Sequence, residues 1–284
     1  MNYRHAFHAG NFADVLKHFV LSRLVLYLQK KDKPFRVVDT HAGRGRYDLS
    51  SGEAQRTGEW RDGIGRLLEA ELPAQAAELL APYLSTIRQD AAGFAAYPGS
   101  PLVSRRLLRK QDRLTAIELH PQDSQALRSL FAGDFQTRVI HLDGWLSLNS
   151  QLPPKEKRGL VLVDPPFEEP GEFDRLVDGL ATAYRRWPGG TYALWYPVKD
   201  RKAVARFRDG LKASGIPDII DVTLDIRAPS PEPKLDGCGM VVVNPPYTLE
   251  SELAAVLPVL KDLLAQGPGA SAGVSRLAKE AQAR

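Results

Sequence analysis

The chain has 284 residues but only one cysteine, Cys238, and two methionines. A lone thiol excludes an internal disulfide and fits a reducing compartment. No stretch approaches the ~18 uninterrupted apolar residues of a membrane span. The opening Met1-Asn-Tyr-Arg-His-Ala-Phe-His8 lacks the apolar centre of a secretory signal, so a cytoplasmic protein with no membrane association is expected. Excess charge is also scarce. A net +4 and a pI near 9.1 lean toward a polyanionic partner without requiring one. The basic clusters Arg105-Arg106…Arg109-Lys110, Lys155-Glu-Lys157-Arg158, Arg185-Arg186 and Lys199-Asp-Arg201-Lys202 each read equally well as solvated faces. His5, His8 and His18 have no cysteine or second paired motif nearby, and their spacing matches no standard zinc site, so no metal is expected.

What is present is an ordinary globular composition, 43% hydrophobic and 25% charged, sufficient for a substantial core. Asn11 is a candidate N-cap with Asp14 in the first turn, followed by an amphipathic run carrying Val15, Phe19, Leu24 and Leu28, which predicts a helix to about Lys30. Phe35-Arg-Val-Val-Asp39 then reads as a strand entering a glycine turn, Thr40-His-Ala-Gly43-Arg-Gly45. Further strands are expected at Leu114 to Glu118, Thr137 to Leu142, Leu160 to Asp164 and Thr191 to Trp195, with helical patterns between several of them. Strands alternating with helices specify a parallel α/β sheet. The candidates from Asp218 to Arg227 and from Cys238 to Asn244 are joined by a proline-rich turn too short for a crossover, which predicts an antiparallel hairpin at the sheet edge. The Ala/Gly/Ser-rich tail after Gln266 reads as mobile.

One connection is abnormally long. Roughly 70 residues separate Gly45 from Leu114, far more than a single crossover helix needs. The runs from Trp60 to Leu68 and from Glu69 to Leu84 look helical, so a small helical insert is expected over residues 51–105, dividing the α/β body into residues 1–50 and 106–284.

The strand ends carry the chemistry. A glycine turn after the first strand and an acid, Glu118, after the second follow the logic of nucleotide sites, in which glycines admit the ligand and the acid takes ribose hydroxyls. The full dinucleotide pattern is absent because His41 stands where its first glycine would be. The third strand ends in Asp143-Gly144 and the fourth in Asp164-Pro-Pro-Phe167. This order of acids, closed by Asp-Pro-Pro-aromatic, is that of S-adenosylmethionine-dependent methyltransferases acting on nucleobase amines. An adenine amino group is a poor nucleophile whose lone pair is delocalised into the ring. Asp164 and the Pro165 carbonyl can accept its hydrogens, the prolines remove competing N–H donors, and Phe167 offers a flat face to an extruded base. A near copy, Val241-Val-Val-Asn-Pro-Pro-Tyr247, lies on a strand expected to run the other way, so Asn244 reads as a strand terminator.

Taken together, these stretches resemble one family, the RlmJ-type adenine-N6 methyltransferases of large-subunit ribosomal RNA. The resemblance rests on Tyr3-Arg-His-x-Phe-His-Ala-Gly-Asn11, Ala13-Asp-Val-Leu-Lys-His18, Asp39-Thr-His-Ala-Gly43, Pro98-Gly-Ser-Pro101, Glu118-Leu-His-Pro121, Asp143-Gly144, Asp164-Pro-Pro, Ala193-Leu-Trp-Tyr-Pro197 and Val243-Asn-Pro-Pro246. It implies a Rossmann-like methyltransferase fold with a helical insert, S-adenosylmethionine as cofactor, and 23S rRNA not yet assembled into the ribosome as substrate, with adenine 2030 as the target. It further implies that His18, His41, Ser100, Glu118, Asp143, Gly144 and Asp164 contact the cofactor, with Asp164 catalytic and Tyr3 near the target base; from the residues themselves, Gly43 of the glycine turn is expected at the cofactor, Pro165 and Phe167 beside Asp164 at the reaction centre, and Arg4 on the RNA with Phe167. The family pattern often has Tyr after the two prolines. Here Phe167 keeps the stacking face but not a phenolic hydroxyl.

The arginines Arg56, Arg61, Arg66 and Arg88 of the insert, with Arg105, Arg106 and Arg109 at its exit, are expected to hold RNA phosphates. No feature calls for a protein partner, and the chain is expected to act as a monomer. Three alternatives stand beside this reading. A nicotinamide-dependent oxidoreductase explains the glycine turn but not Asp-Pro-Pro-Phe. A non-catalytic RNA-binding protein explains the basic clusters but not the ordered acids. A DNA adenine-N6 methyltransferase shares the same catalytic tetrapeptide.

Overall fold

The computed structural model describes residues 5–89 and 95–280. Its frame is an eight-stranded sheet, with elements in chain order as follows. Helix α1 (Phe12–Gln29) leads into β1 (Arg36–Asp39). The long connection holds β2 (Arg46–Asp48), α2 (Gly52–Thr57), a π-helical turn (Arg61–Gly65), α3 (Arg66–Glu69), α4 (Ala74–Arg88), β3 (Ala96–Pro98) and α5 (Ser100–Leu107). Then come β4 (Arg113–Glu118), α6 (Pro121–Leu130), β5 (Thr137–His141), α7 (Gly144–Ser150), β6 (Gly159–Val163), α8 (Glu172–Arg186) and β7 (Thr191–Val198). The chain ends with α9 (Arg201–Ala213), β8 (Ile219–Asp225), β9 (Gly237–Val243), α10 (Leu249–Leu264) and β10 (Ser271–Ala278).

The strand order is β10-β8-β9-β7-β6-β1-β4-β5. Pairing is parallel from β7 through β6, β1 and β4 to β5, so these strands end on one rim. From β1 the chain steps outward to β4 and β5, then returns to the other side of β1 with β6. The gap between β1 and β6 is therefore the topological switch point, where ligands of open α/β sheets bind. Apolar side chains cover both sheet faces, one packed under α1, α4, α5 and α10 and the other under α7, α8 and α9.

Helix α1 starts as expected, with the Asn11 side chain accepting from the amides of Ala13 and Asp14. It is not an amphipathic surface helix, however. It lies between α4, α5, α10 and the sheet, and Asp14, Lys17, His18 and Ser22 are all buried with its apolar residues. Periodicity exposed the apolar stripe but not the coverage of the opposite side by residues far along the chain.

The connection from β1 to β4 is largely helical, and a two-stranded pairing of β2 with β3 closes its base. Helix α5 belongs spatially with the sheet, packing on α1, β1 and β4. The helix expected from Glu69 starts only at Ala74, because Pro73 keeps the residue before it out of the helical region. Gly63 lets the insert dock on the start of α1. A Cβ there would stand 2.1 Å from the Gly10 carbonyl oxygen, which already accepts from the Ile64 amide at 2.8 Å.

The hairpin of β8 and β9 is antiparallel, with β9 inserted between β7 and β8. It does not form the edge. The tail read as mobile from its composition contributes β10, antiparallel to β8 along its length, and the Arg276 guanidinium bonds Asp218 and Glu250. An Ala/Gly/Ser segment has weak β-propensity, but the open backbone edge of β8 supplies the pairing that propensity does not.

Candidate active site

A cavity of about 660 Å³ opens at the carboxyl ends of the parallel strands. His18, His41, Gly43, Ser100, Glu118, Asp143, Gly144, Asp164, Pro165 and Phe167 all line it, brought together from the ends of β1, β4, β5 and β6 and from helices α1 and α5. Tyr3 and Arg4 lie outside the described residues.

At the end of β4, Glu118 uses one carboxylate oxygen to accept from the Gly43 amide (2.7 Å) and the other to accept from the His120 amide (2.7 Å). Burial pushes its carboxyl up, and the two amides oppose that shift. Each oxygen keeps a lone pair for a hydroxyl donor. At the start of α7, Asp143 Oδ1 caps the helix by accepting from the Trp145 amide at 2.7 Å, leaving Oδ2 for a ligand amine. Gly144 is required by crowding, since a Cβ would meet the Thr40 carbonyl oxygen at 2.3 Å and the His41 ring at 2.7 Å. Burial lowers His41 to about 4, so its ring is neutral near pH 7, held by the Thr40 hydroxyl and edge-on to Trp145.

Below the glycine turn, the Ser100 hydroxyl donates to Asp39 Oδ2 at 2.7 Å, while Asp39 Oδ1 is buried with no partner among the described residues. Burial raises Asp39 to about 7. His18 is fully buried, with Nδ1 bonded to the Tyr97 hydroxyl and Nε2 without a partner among the described residues. The orphaned His18 Nε2 in the cavity's wall, with a carboxylate and a helix-capping aspartate further along one rim, fits a nucleoside bearing a charged amino-acid tail.

Asp164, the first residue after β6, is joined to α1. Lys17 Nζ lies 2.6 Å from Asp164 Oδ2 and 2.8 Å from Asp14 Oδ1, and His5 Nε2 lies 2.9 Å from Asp14 Oδ2. Burial works against the Lys17 charge, but Asp14 and Asp164 outweigh it and hold the ammonium well above its ordinary range. Asp14, likewise buried, is held low by His5 and Lys17. The ion cluster leaves Asp164 Oδ1 to accept from a ligand. Phe167 adopts a left-handed φ of 53°, a conformation costing about 1–3 kcal/mol in a bulky residue. Its ring packs edge-on against Phe173 and Trp195.

The second Pro-Pro sequence lies on the opposite rim. Asn244 follows β9, level with the start of β7, and its Nδ2 donates to the carbonyls of Pro188 (2.8 Å) and Gly190 (2.7 Å). It ties off a strand and does not border the cavity. Most of the arginines expected on phosphate are committed to protein. Arg66 donates to the carbonyls of Leu263 and Ala265 at the end of α10, Arg105 forks onto Asp134, Arg106 bonds the Thr86 carbonyl, and Arg109 bridges Asp112 to the carbonyls of Gln29, Lys31 and Lys33. Arg56, Arg61 and Arg88 remain exposed; Arg56 lies over the Phe7 ring, and Arg61 lies over the Trp60 ring while donating to Gln55 Oε1 at 2.7 Å.

A cavity at the switch point, acids at successive strand ends and Asp-Pro-Pro-aromatic beside it define a Rossmann-like methyltransferase. The chain belongs to the family described as "Ribosomal RNA large subunit methyltransferase D, RlmJ", whose model matches residues 32–275. It is 44% identical to ribosomal RNA large subunit methyltransferase J of Escherichia coli over 99% of this chain and 100% of that protein. Its counterpart of the same name in Haemophilus influenzae is also 44% identical, over 95% and 96%. The crystal structure of protein LPL1258 from Legionella pneumophila is 36% identical and superposes with a TM-score of 0.86 over 95% of this chain and 98% of that one. Among the described residues, no helix is long and apolar enough to cross a membrane.

Four residues at or behind the site were not legible as functional: Asp14, Lys17, Tyr83 and Tyr97. Lys17 and Asp164 are 147 positions apart, and local sequence carries no signal that joins them. Spacing did offer one clue, because Asp14 and Lys17 share a helix face three residues apart.

Proposed function

We propose that the protein transfers a methyl group from S-adenosylmethionine to N6 of an adenine in 23S rRNA, acting as a cytoplasmic monomer on RNA not yet packed into the ribosome. The observation that carries this reading is Asp164-Pro-Pro-Phe167 at the switch point, with its carboxylate held by Lys17. Glu118 takes the ribose hydroxyls of the cofactor, Asp143 and Gly144 take its adenine, and His18, His41, Gly43 and Ser100 enclose the remainder. The cofactor supplies a sulfonium-activated methyl group.

The chain's own work is alignment. Asp164 Oδ1 and the Pro165 carbonyl accept the two amino hydrogens of the target adenine, drawing nitrogen toward a tetrahedral shape and freeing its lone pair. Lys17, anchored by Asp14, orients Asp164 through its contact with Oδ2. Phe167 stacks on the base, and its strained backbone presents the ring there. The insert over residues 51–105, with Tyr3 and Arg4, holds the surrounding RNA. The adenine at position 2030 is the target that the family membership suggests.

Incubation of the purified protein with 23S rRNA, or with duplex DNA, and labelled cofactor, followed by nucleoside mass spectrometry, tests the proposal. N6-methyladenine should form in the RNA alone. Label in DNA, or on another RNA base, overturns the substrate assignment. Asp164→Ala should cost on the order of 10²–10³-fold in single-turnover rate. Asn244→Ala should cost about 1–3 kcal/mol of stability and leave the rate of the folded enzyme unchanged.

A further inference from the structure

Behind the cavity runs a buried polar chain that the reaction does not obviously need. Tyr83, on α4 of the insert, places its hydroxyl 2.9 Å from that of Tyr97 on β3, which lies 2.8 Å from His18 Nδ1 on α1. All three side chains are fully buried. The His18 ring stacks on Tyr97 at 5.6 Å and meets Tyr83 edge-on. His18 lines the cavity, and its Nε2 has no partner among the described residues.

Counting donors decides how the hydrogens lie. Burial lowers His18 to about 3, so the ring is neutral near pH 7 and carries one N–H. If that hydrogen were on Nδ1, it would donate to Tyr97, Tyr97 would donate to Tyr83, and the Tyr83 hydroxyl hydrogen would be buried with no acceptor. With the hydrogen on Nε2, Tyr83 donates to Tyr97, Tyr97 donates to Nδ1, and every hydroxyl hydrogen is matched. The one unmatched donor is then Nε2–H, on the residue that borders the cavity. An orphaned buried donor is costly, so the second arrangement wins if a ligand acceptor arrives there.

The order of strand ends identifies that acceptor. Along the rim, β5 with the following Asp143, β4 with Glu118, β1 with Asp39 and β6 with Asp164 lie side by side. A nucleoside with its base at Asp143 and its ribose at Glu118 directs its amino-acid tail toward β1 and α1, where His18 stands. We infer that Tyr83 and Tyr97 are positioning residues that hold His18 as its Nε2–H tautomer, a donor to the carboxylate of the cofactor's amino-acid tail. The inference rests on the cofactor reading given above. It also ties the insert to the cofactor site, since Tyr83 is an insert residue whose hydroxyl sets the direction of the chain.

Two ligands separate this inference from the reading beneath it: S-adenosylhomocysteine, which has the tail, and 5′-methylthioadenosine, which lacks it. Calorimetry should show Tyr97→Phe weakening S-adenosylhomocysteine about tenfold while leaving 5′-methylthioadenosine unchanged. Tyr83→Phe, which preserves the Tyr97 to His18 bond, should show a smaller loss of the same kind. Two-bond ¹H–¹⁵N correlation spectra of the wild type at pH 7 should show His18 protonated at Nε2. Protonation at Nδ1, unchanged binding of both ligands, or an equal loss of both in Tyr97→Phe overturns the positioning role. Failure of the wild type to bind either ligand overturns the cofactor reading itself.

Discussion

Three buried carboxylates around one cavity show how far environment outweighs residue type. Asp14, contacted by His5 and Lys17, is held well below its ordinary range. Glu118 is raised by burial against two opposing amides. Asp39, which accepts from the Ser100 hydroxyl, is raised by burial to about 7. Its consequence for stability has a definite direction. An unfolded aspartate releases its proton near pH 4 (~3.9), whereas folded Asp39 keeps it to about 7. Between those values the folded state binds more protons, so stability is lost as pH rises through that window and levels off above it. The full loss from this one group is up to about 4 kcal/mol. Asp39→Asn keeps an acceptor for Ser100 and removes the titration. Denaturant melts without cofactor, at pH 5 and pH 8, should show the variant gaining on the wild type at pH 8 relative to pH 5. An equal difference at both values sinks the assignment.

At the scale of elements, legibility followed the strength of local pattern. The strands β1, β4, β6 and β9 were readable because each is a short β-branched or apolar run ending in Asp, Glu or Asn, the polar residue marking where the chain leaves the sheet. The same marks made Glu118, Asp143 and Asp164 readable as a set. Lys17 and the Tyr83–Tyr97–His18 chain were not readable, because helix periodicity assigns a face but not what a distant segment places against it. Strand β10 was hidden for a related reason: Ser271-Ala-Gly-Val-Ser-Arg-Leu-Ala278 has little intrinsic preference, and its order comes from the β8 edge. Truncation after Gln266 tests that dependence. It uncovers the edge of β8 and removes the Arg276 contacts to Asp218 and Glu250. Melting should fall by roughly 10 °C, corresponding to about 3 kcal/mol, and the truncated protein should self-associate through the bare edge. An unshifted melt with a monodisperse sample is the outcome that rejects it.

On the scale of the whole molecule, one topology does two things: it lines up acids along the parallel rim, and it suspends the insert beside that rim. The insert is fastened at both ends of its contact with the body. His8 reaches Glu59 at 3.0 Å near the cavity, and Arg66 binds the terminal carbonyls of α10 at the far side. Arginines of one segment therefore divide into two kinds by their partners. Arg66 is structural, whereas Arg56 and Arg61 are exposed, their guanidinium groups lying over the rings of Phe7 and Trp60. If RNA crosses the insert to reach the cavity, the exposed pair stands nearest that path, next to the cavity-lining His8 and Glu59, while the third exposed arginine, Arg88, lies at the end of α4. Arg56→Gln with Arg61→Gln should weaken RNA binding and reduce the magnitude of its logarithmic salt slope by about 1.4–1.8, two phosphate contacts' worth, with S-adenosylhomocysteine affinity unchanged. Arg66→Gln should behave in the opposite way, lowering the melting temperature while the salt slope stays that of the wild type. Filter-binding titrations across a salt series, beside melts of the same variants, distinguish the two kinds. If the double variant keeps the wild-type slope, the RNA path lies off the insert, and the fastening by Glu59 and Arg66 serves the cofactor site alone.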